Sequence, residues 1–182
     1  MKIYTKRGDD GTTGLLYGGR LRKDSAAIEL NGAVDEAQAA LGVARAEAER
    51  GSELDELLVG LERDLWVLMA EVATAPENRH KLTPGVSLVT AEMVAALEAH
   101  IDSLDDRFEM PTEFVVPGQT RIAALLDVAR TVVRRAERLS LDLADGSQVG
   151  PYLNRLSDLC WTMARWQEGE HLPTRQTTHK EH

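Results

Sequence analysis

The stretch Ser52-Glu53-Leu54-Asp55-Glu56-Leu57-Leu58-Val59-Gly60-Leu61-Glu62-Arg63-Asp64-Leu65-Trp66-Val67-Leu68-Met69-Ala70-Glu71-Val72 decides the fold class. Leu54, Leu57, Leu58, Leu61, Leu65, Leu68, Met69 and Val72 recur at steps of three and four, which gathers them on one face of an α-helix. Ser52 can cap its first turn, and Pro76 follows its end. The same period continues outward in both directions. Leu30, Val34, Leu41 and Ala44 mark an earlier helix ending near Gly51, and Met93, Leu97, Ile101 and Leu104 mark a third after Pro84-Gly85. A fourth begins beyond Pro117-Gly118, carries Ile122, Leu125, Leu126, Ala129, Val132, Val133, Ala136 and Leu139, and ends near Gly146. A fifth follows Gly150-Pro151 with Leu153, Leu156, Cys160, Met163 and Ala164 inward. Five such segments with mostly short connections predict an all-α protein, an antiparallel five-helix bundle behind a glycine-rich N-terminal loop. Residues 1–170 read as one helical domain, and residues 171–182 as a polar, aperiodic tail that adds little to the fold.

The 182-residue chain can bury a core without staples, and its one cysteine, Cys160, cannot form an intrachain disulfide. With no apolar leader at Met1-Lys2-Ile3-Tyr4, a reducing, cytoplasmic compartment is expected. No stretch approaches the ~18 apolar residues of a membrane span. A net charge of -9 argues against general affinity for nucleic acid or membrane surfaces, so an anionic ligand needs a local basic site.

Two segments offer one. Thr5-Lys6-Arg7-Gly8-Asp9-Asp10-Gly11-Thr12-Thr13-Gly14-Leu15-Leu16-Tyr17-Gly18-Gly19-Arg20 combines glycines, which let backbone N–H groups converge, with hydroxyls and cations, a combination suited to polyphosphate. It contains no phosphate-loop pattern and no βαβ unit surrounds it, so a surface turn remains the alternative. In Ala129-Arg130-Thr131-Val132-Val133-Arg134-Arg135-Ala136-Glu137-Arg138, Arg130, Arg134 and Glu137 share a narrow stripe beside the apolar face, with Asp127 and Arg138 at its margin. Guanidinium forks suit phosphate oxygens, whereas a solvated face laced by ion pairs is the competing account.

Other candidates are quieter. Asn154 and Asp158 share a face of the fifth helix and suit either a ribose and base or local pairing. Phe114, on the Pro-Gly-bounded segment Phe114-Val115-Val116-Pro117-Gly118-Gln119-Thr120, suits either core or a cofactor wall. Glu77 with His80 and Glu168 with His171 have the Glu-x-x-His spacing of di-metal bundles, but both lie at helix ends or in loops, so no metal-ligating set is assigned. Cys160, Trp66, Trp161 and Trp166 read as packing residues.

In this order the segments resemble the PduO-type ATP:cob(I)alamin adenosyltransferases. The resemblance rests on Tyr4 to Gly11, Lys23-Asp24, Gly32-Ala33-Val34-Asp35-Glu36, Phe114 to Thr120, Arg130 to Arg138, and Asn154-Arg155-Leu156-Ser157-Asp158, from residue 3 to about residue 167. It implies a homotrimer with sites between subunits, ATP with Mg²⁺, and a corrinoid substrate cycling through cob(II)alamin and cob(I)alamin. Thr5, Lys6, Arg7, Gly8, Thr13, Gly14 and Lys23 would line the ATP site from one side, and Arg134, Arg135, Ala136, Glu137, Arg138 and Asn154 from the other. Asp35 resembles the carboxylate that pairs across the subunit boundary with the arginine matching Arg130. Phe114 matches the aromatic that packs on the corrin and helps displace its lower axial ligand. Asp9 and Asp10 suit either water-mediated contact with magnesium or shaping of the turn. A flavin reductase and an adenosylcobalamin-dependent client enzyme stand as candidate protein partners. An ATP sensor or adenosylcobalamin carrier of the same fold is the alternative to an enzyme. The chain departs from the family at Gln119, where Pro-Gly-Gly-Thr is common, and at Leu159-Cys160-Trp161, where aromatics are frequent.

Overall fold

The computed structural model describes residues 3–141 and 146–175, so residues 176–182 of the expected tail lie outside the described residues. Among these, five α-helices form: α1 (Ala26–Ala46), α2 (Glu53–Val72), α3 (Ala91–Asp105), α4 (Arg121–Leu139) and α5 (Val149–Glu168). Each hydroxyl that opens α2, α3 and α4 satisfies an otherwise unpaired N–H: Ser52 accepts from Asp55, Thr90 from Met93, and Thr120 from Ala123.

Two boundaries differ from the sequence expectation. α4 stops at Leu139, where the Ser140 hydroxyl bonds the Glu137 carbonyl at 2.7 Å, well before Gly146. α5 begins at Val149, so Gly150 and Pro151 lie inside its first turn. Proline is tolerated there because first-turn N–H groups have no helical partner to lose.

The helices pack in the order α2, α1, α4, α5, α3, with a groove between α2 and α3. Side-chain pairs give the directions. Arg45 with Asp55 and Gln38 with Glu62 make α1 and α2 antiparallel, and Glu36 with Arg135 and Glu47 with Arg121 do the same for α1 and α4. α4 and α5 are antiparallel through Glu137 with Asn154 and Asp127 with Arg165. Glu98 with Arg155 and Arg107 with Trp166, however, make α3 and α5 parallel. Consecutive helices therefore alternate, but the antiparallel expectation fails at α3 and α5, because a ring of five cannot alternate all the way round. The predicted apolar stripes supply the core, with Leu58, Leu65, Leu68, Leu126, Leu153, Leu156 and Met163 fully buried.

Three further differences concern the non-helical parts. The N-terminal segment is not all loop, since β1 (Thr12–Gly14) pairs antiparallel with β2 (Arg20–Arg22). Strands of three residues are too short to show alternation, and the turn between them holds Tyr17, Gly18 and Gly19 at φ of 63°, 100° and 90°. The hairpin docks on the end of α2, where the Leu16 N–H donates to the Ala73 carbonyl at 2.9 Å. The described part of the tail does join the fold: Val116 N–H donates to Leu172 O and Thr174 N–H to Phe114 O, both at 2.8 Å. Backbone pairing needs no apolar period, so a polar sequence conceals it. Trp66, expected to pack, is 67% exposed, because it follows Leu65 and so lies about 100° off the apolar stripe.

Candidate active site

Polar side chains on α4 and α5 face one another along a single seam. Asn154 Nδ2 donates to Glu137 Oε1 at 2.8 Å at one end, and Arg165 Nη2 donates to Asp127 Oδ2 at 2.6 Å at the other. Ten residues of α4 separate the two contacts, about 15 Å along the axis. The ends differ in chemistry.

The Glu137 end is solvated. Arg134, Arg135 and Arg138 are exposed beside the buried Ala136, which keeps α4 seated while its neighbours project. Arg135 pairs with Glu36, and Arg138 Nη1 donates to the Arg134 carbonyl at 3.0 Å. The guanidinium of Arg134 makes no hydrogen bond or ion pair among the described residues, which leaves its fork free for an anion. Asn154 is itself fixed, because its Oδ1 accepts from Arg155 at 2.8 Å while its amide reaches Glu137.

The N-terminal segment belongs to the same end of the protein, since it docks beside the C-terminus of α2 and leads into α1. Thr5, Lys6 and Arg7 are exposed, Gly8 and Thr13 are half-buried, and Gly14 and Lys23 are exposed. Lys23 Nζ would lie 3.1 Å from a Cβ added at Gly8, so glycine there lets the ammonium close over the backbone. Arg20 braces the segment by donating from Nη2 to Arg7 O at 2.6 Å and from Nε to Thr12 Oγ1 at 2.8 Å. Asp10 shapes the turn: its Oδ1 accepts from the Thr12 N–H at 2.9 Å and the Thr12 hydroxyl at 2.7 Å, which holds its carboxyl below the usual aspartate range. Lys6, Arg7 and Lys23, like Arg134, have no ion pair among the described residues, whereas Arg20, Arg22, Arg45, Arg79 and Arg107 all do.

The Asp127 end opens into a cavity of about 570 Å³ lined by residues 111–115, Pro117, Asp127, Arg130, Trp161 and Arg165. Phe114 is 87% exposed at its mouth, so it is a wall and not core. Gly118, at φ 114°, takes the strained position of the following turn, so Gln119 in place of glycine needs no left-handed backbone. At the floor, Asp127 is shared by Arg130 Nε at 3.0 Å and Arg165 Nη2. Arg165 also donates to Glu168 Oε1 at 3.0 Å, and burial pushes the Glu168 carboxyl up. Asp35 is exposed on α1 and does not pair with Arg130 within the chain.

The structure thus brings Arg134, Ala136, Glu137, Arg138 and Asn154 together and gives Phe114 and Arg130 a common cavity, while the N-terminal residues form a separate lip. Arg165 lies outside the residues expected from the sequence, and Trp161, expected to pack, lines the cavity. The signal was present, because Asn154, Asp158, Trp161 and Arg165 fall within about 60° of one another on a helix. Trp161 supplies an aromatic wall where Leu159 and Cys160 turn inward. Cys160 is core as expected, its thiol pushed up to about 12 by burial.

The sequence model of a family described as cobalamin adenosyltransferase matches residues 3–167. A corrinoid adenosyltransferase of Citrobacter freundii is 39% identical over 173 residues, covering 92% of this chain and 95% of that protein. One of Bacillus subtilis (strain 168) is 36% identical, covering 91% and 86%. Among solved structures, a phenylalanine-to-alanine variant of a PduO-type ATP:corrinoid adenosyltransferase from Lactobacillus reuteri, complexed with cobalamin and ATP, superposes with a TM-score of 0.84. It is 27% identical and covers 96% of this chain and 100% of that one. An arginine-to-lysine variant of the enzyme complexed with ATP gives a TM-score of 0.82 at 27% identity, covering 95% and 100%.

Proposed function

The chain belongs to the cobalamin adenosyltransferase family, and on that premise we propose how its α4–α5 seam works. The protein transfers the 5′-deoxyadenosyl group of ATP to the cobalt of a reduced corrinoid. The cobalt(I) lone pair of cob(I)alamin attacks C5′, the C5′–O bond breaks, and its electrons leave with triphosphate, giving adenosylcobalamin. No side chain forms a covalent intermediate, so the protein contributes alignment and charge stabilisation. Arg134 binds the departing triphosphate, with Arg138 and Asn154 beside it and Arg135, Ala136 and Glu137 framing the subsite. Lys6, Arg7 and Lys23, with the backbone of Thr5, Gly8, Thr13 and Gly14, close over the phosphates from the other side. Magnesium enters as part of the ATP substrate.

The corrinoid occupies the cavity at the Asp127 end, where Phe114 and Trp161 exclude water and Phe114 displaces the lower axial ligand. Losing that ligand makes cob(II)alamin easier to reduce. Arg130 lies one turn, about 6 Å, from Arg134, which suits a carbon passing between the two subsites. The helices form a five-helix bundle that assembles as a homotrimer, with Asp35 of one subunit reaching Arg130 of the next and each N-terminal lip covering a neighbour's Arg134. The helical domain of residues 1–170 carries the activity by itself. No helix among the described residues is long and apolar enough to cross a membrane. A reducing cytoplasm suits the buried free thiol, and a flavin reductase and an adenosylcobalamin-dependent client enzyme would supply the corrinoid and take the product.

The observation that carries this reading is the Arg134 guanidinium, without an ion pair or hydrogen bond among the described residues, on the seam of an acidic chain. The test is anaerobic: protein, ATP, Mg²⁺ and chemically reduced cobalamin are mixed, and the absorbance change of Co–C bond formation is followed. Adenosylcobalamin formation is expected. Tight ATP binding without product would instead make the protein a sensor or carrier.

A further inference from the structure

Arg165 has a 2% exposed side chain on the stripe of α5 that also carries Asn154, Asp158 and Trp161, and an arginine is costly to bury. A buried ion pair is a weak source of stability, since packed apolar residues serve as well, so its presence calls for another role. Its contacts suggest one. Arg165 Nη2 reaches Asp127 Oδ2 at 2.6 Å, leaving Oδ1 for Arg130 Nε at 3.0 Å. Arg130 is thereby held by one edge, and its Nη groups make no hydrogen bond among the described residues. Arg165 Nη2 also donates to Glu168 Oε1 at 3.0 Å, and Thr120 Oγ1 donates to the carbonyl of the adjacent Gln167 at 3.4 Å. The same buried cation therefore braces both Arg130 and the turn that follows Phe114.

We propose that Arg165 is a positioning residue for the corrinoid: through Asp127 it fixes the Nε edge of Arg130 and presents the Nη edge to the cavity, while through Glu168 it steadies the Phe114 segment. Asp127 then acts as an in-chain counterion that orients Arg130 whether or not a neighbouring subunit's carboxylate is engaged. Arg134 at the nucleotide end, seven positions beyond Asp127, has no contact with this brace among the described residues, so ATP binding is expected to be unaffected. This rests on the corrinoid occupying that cavity.

The test compares Arg165→Met, Arg165→Lys and Asp127→Asn with the unaltered protein. Measurements are KM for cob(I)alamin, KM for ATP, kcat, and the electron paramagnetic resonance spectrum of bound cob(II)alamin in the presence of ATP. For Arg165→Met and Asp127→Asn, kcat/KM for the corrinoid falls about tenfold or more while KM for ATP is unchanged. The cob(II)alamin spectrum shifts toward the form that keeps its axial ligand, and Arg165→Lys, which retains a cation at Asp127, recovers part of both losses. Loss of corrinoid and ATP parameters together, or an unchanged spectrum, overturns the proposal. If Arg165→Met does not fold, the near-isosteric Asp127→Asn decides by the same criteria. An unaltered protein that makes no adenosylcobalamin would instead overturn the functional reading, so the two failures are distinct.

Discussion

The two ends of the α4–α5 seam use the same residue types in opposite ways. At the Glu137 end, Arg134 and Arg138 stand in solvent, their guanidinium groups paired with no carboxylate among the described residues. At the Asp127 end, Arg165 and Asp127 have side chains only 2% and 6% exposed and are locked together. A free, solvated fork can accept a charged ligand and release it. A buried one already has its counterion and acts by holding its neighbours in place. The helix carrying both spans a binding surface and a brace within three turns, and substitutions along it should separate the two.

The largest effect is expected at the brace. Asp127→Ala leaves Arg165 and Arg130 without their shared carboxylate and should lower unfolding stability by about 3–5 kcal/mol, measured by urea titration. A loss under about 1 kcal/mol would mean that the buried end is no more fixed than a surface pair. Arg134→Ala should do the reverse. Its turnover should fall about 10²–10³-fold, as for loss of one preorganised donor to a leaving group, with the urea midpoint unchanged. Comparable activity in that variant would remove Arg134 from the site and dissolve the contrast.

Phe114→Ala probes the cavity between these extremes. With its ring 87% exposed, folding should be indifferent to the change. Turnover should drop about 10–100-fold, the equivalent of about 1.5–3 kcal/mol of apolar contact made only with the corrinoid bound. A stability loss matching the activity loss would mean that the ring packs within the protein.

The solvated end of the seam was more legible in the sequence than the buried end. Arg130, Arg134 and Glu137 stand out because charge on a stripe adjoining Leu126, Val133 and Ala136 breaks a helical pattern of period 3.6. Arg165 continues the stripe of Asn154 and Asp158 yet was hidden, since it stands beside Met163, Ala164 and Trp166 in sequence and its partner Asp127 is 38 positions away. Backbone pairing also concealed the short hairpin and the long-range 172–174 contact with Phe114–Val116, where side-chain period carries no information. The helices were legible for the opposite reason, since each declares itself within one apolar stripe and a capping hydroxyl such as Thr120.

The smallest expected effect sharpens the account of the brace by supplying a half-buried carboxylate that no arginine pairs with among the described residues. Asp64 accepts from the Tyr152 hydroxyl at 2.9 Å, and burial raises its carboxyl above the usual range, partly offset by that hydrogen bond and by His100. A raised folded-state value favours the protonated form, so the stabilisation is complete below the unfolded value of about 3.9 and is lost as pH rises through the folded value. An asparagine side chain in place of this aspartate cannot titrate and still offers an oxygen to Tyr152. Thermal unfolding of the Asp64→Asn variant and the unaltered protein should therefore converge at acid pH and separate toward neutrality, with the variant the more stable. At Asp127 two arginines donate to the carboxylate, so Asp127→Asn, which breaks that pairing, should be the less stable protein at neutral pH. If both substitutions moved stability in the same direction, burial alone would govern the two carboxylates, and the arginine contacts at the floor of the cavity would have no orienting part.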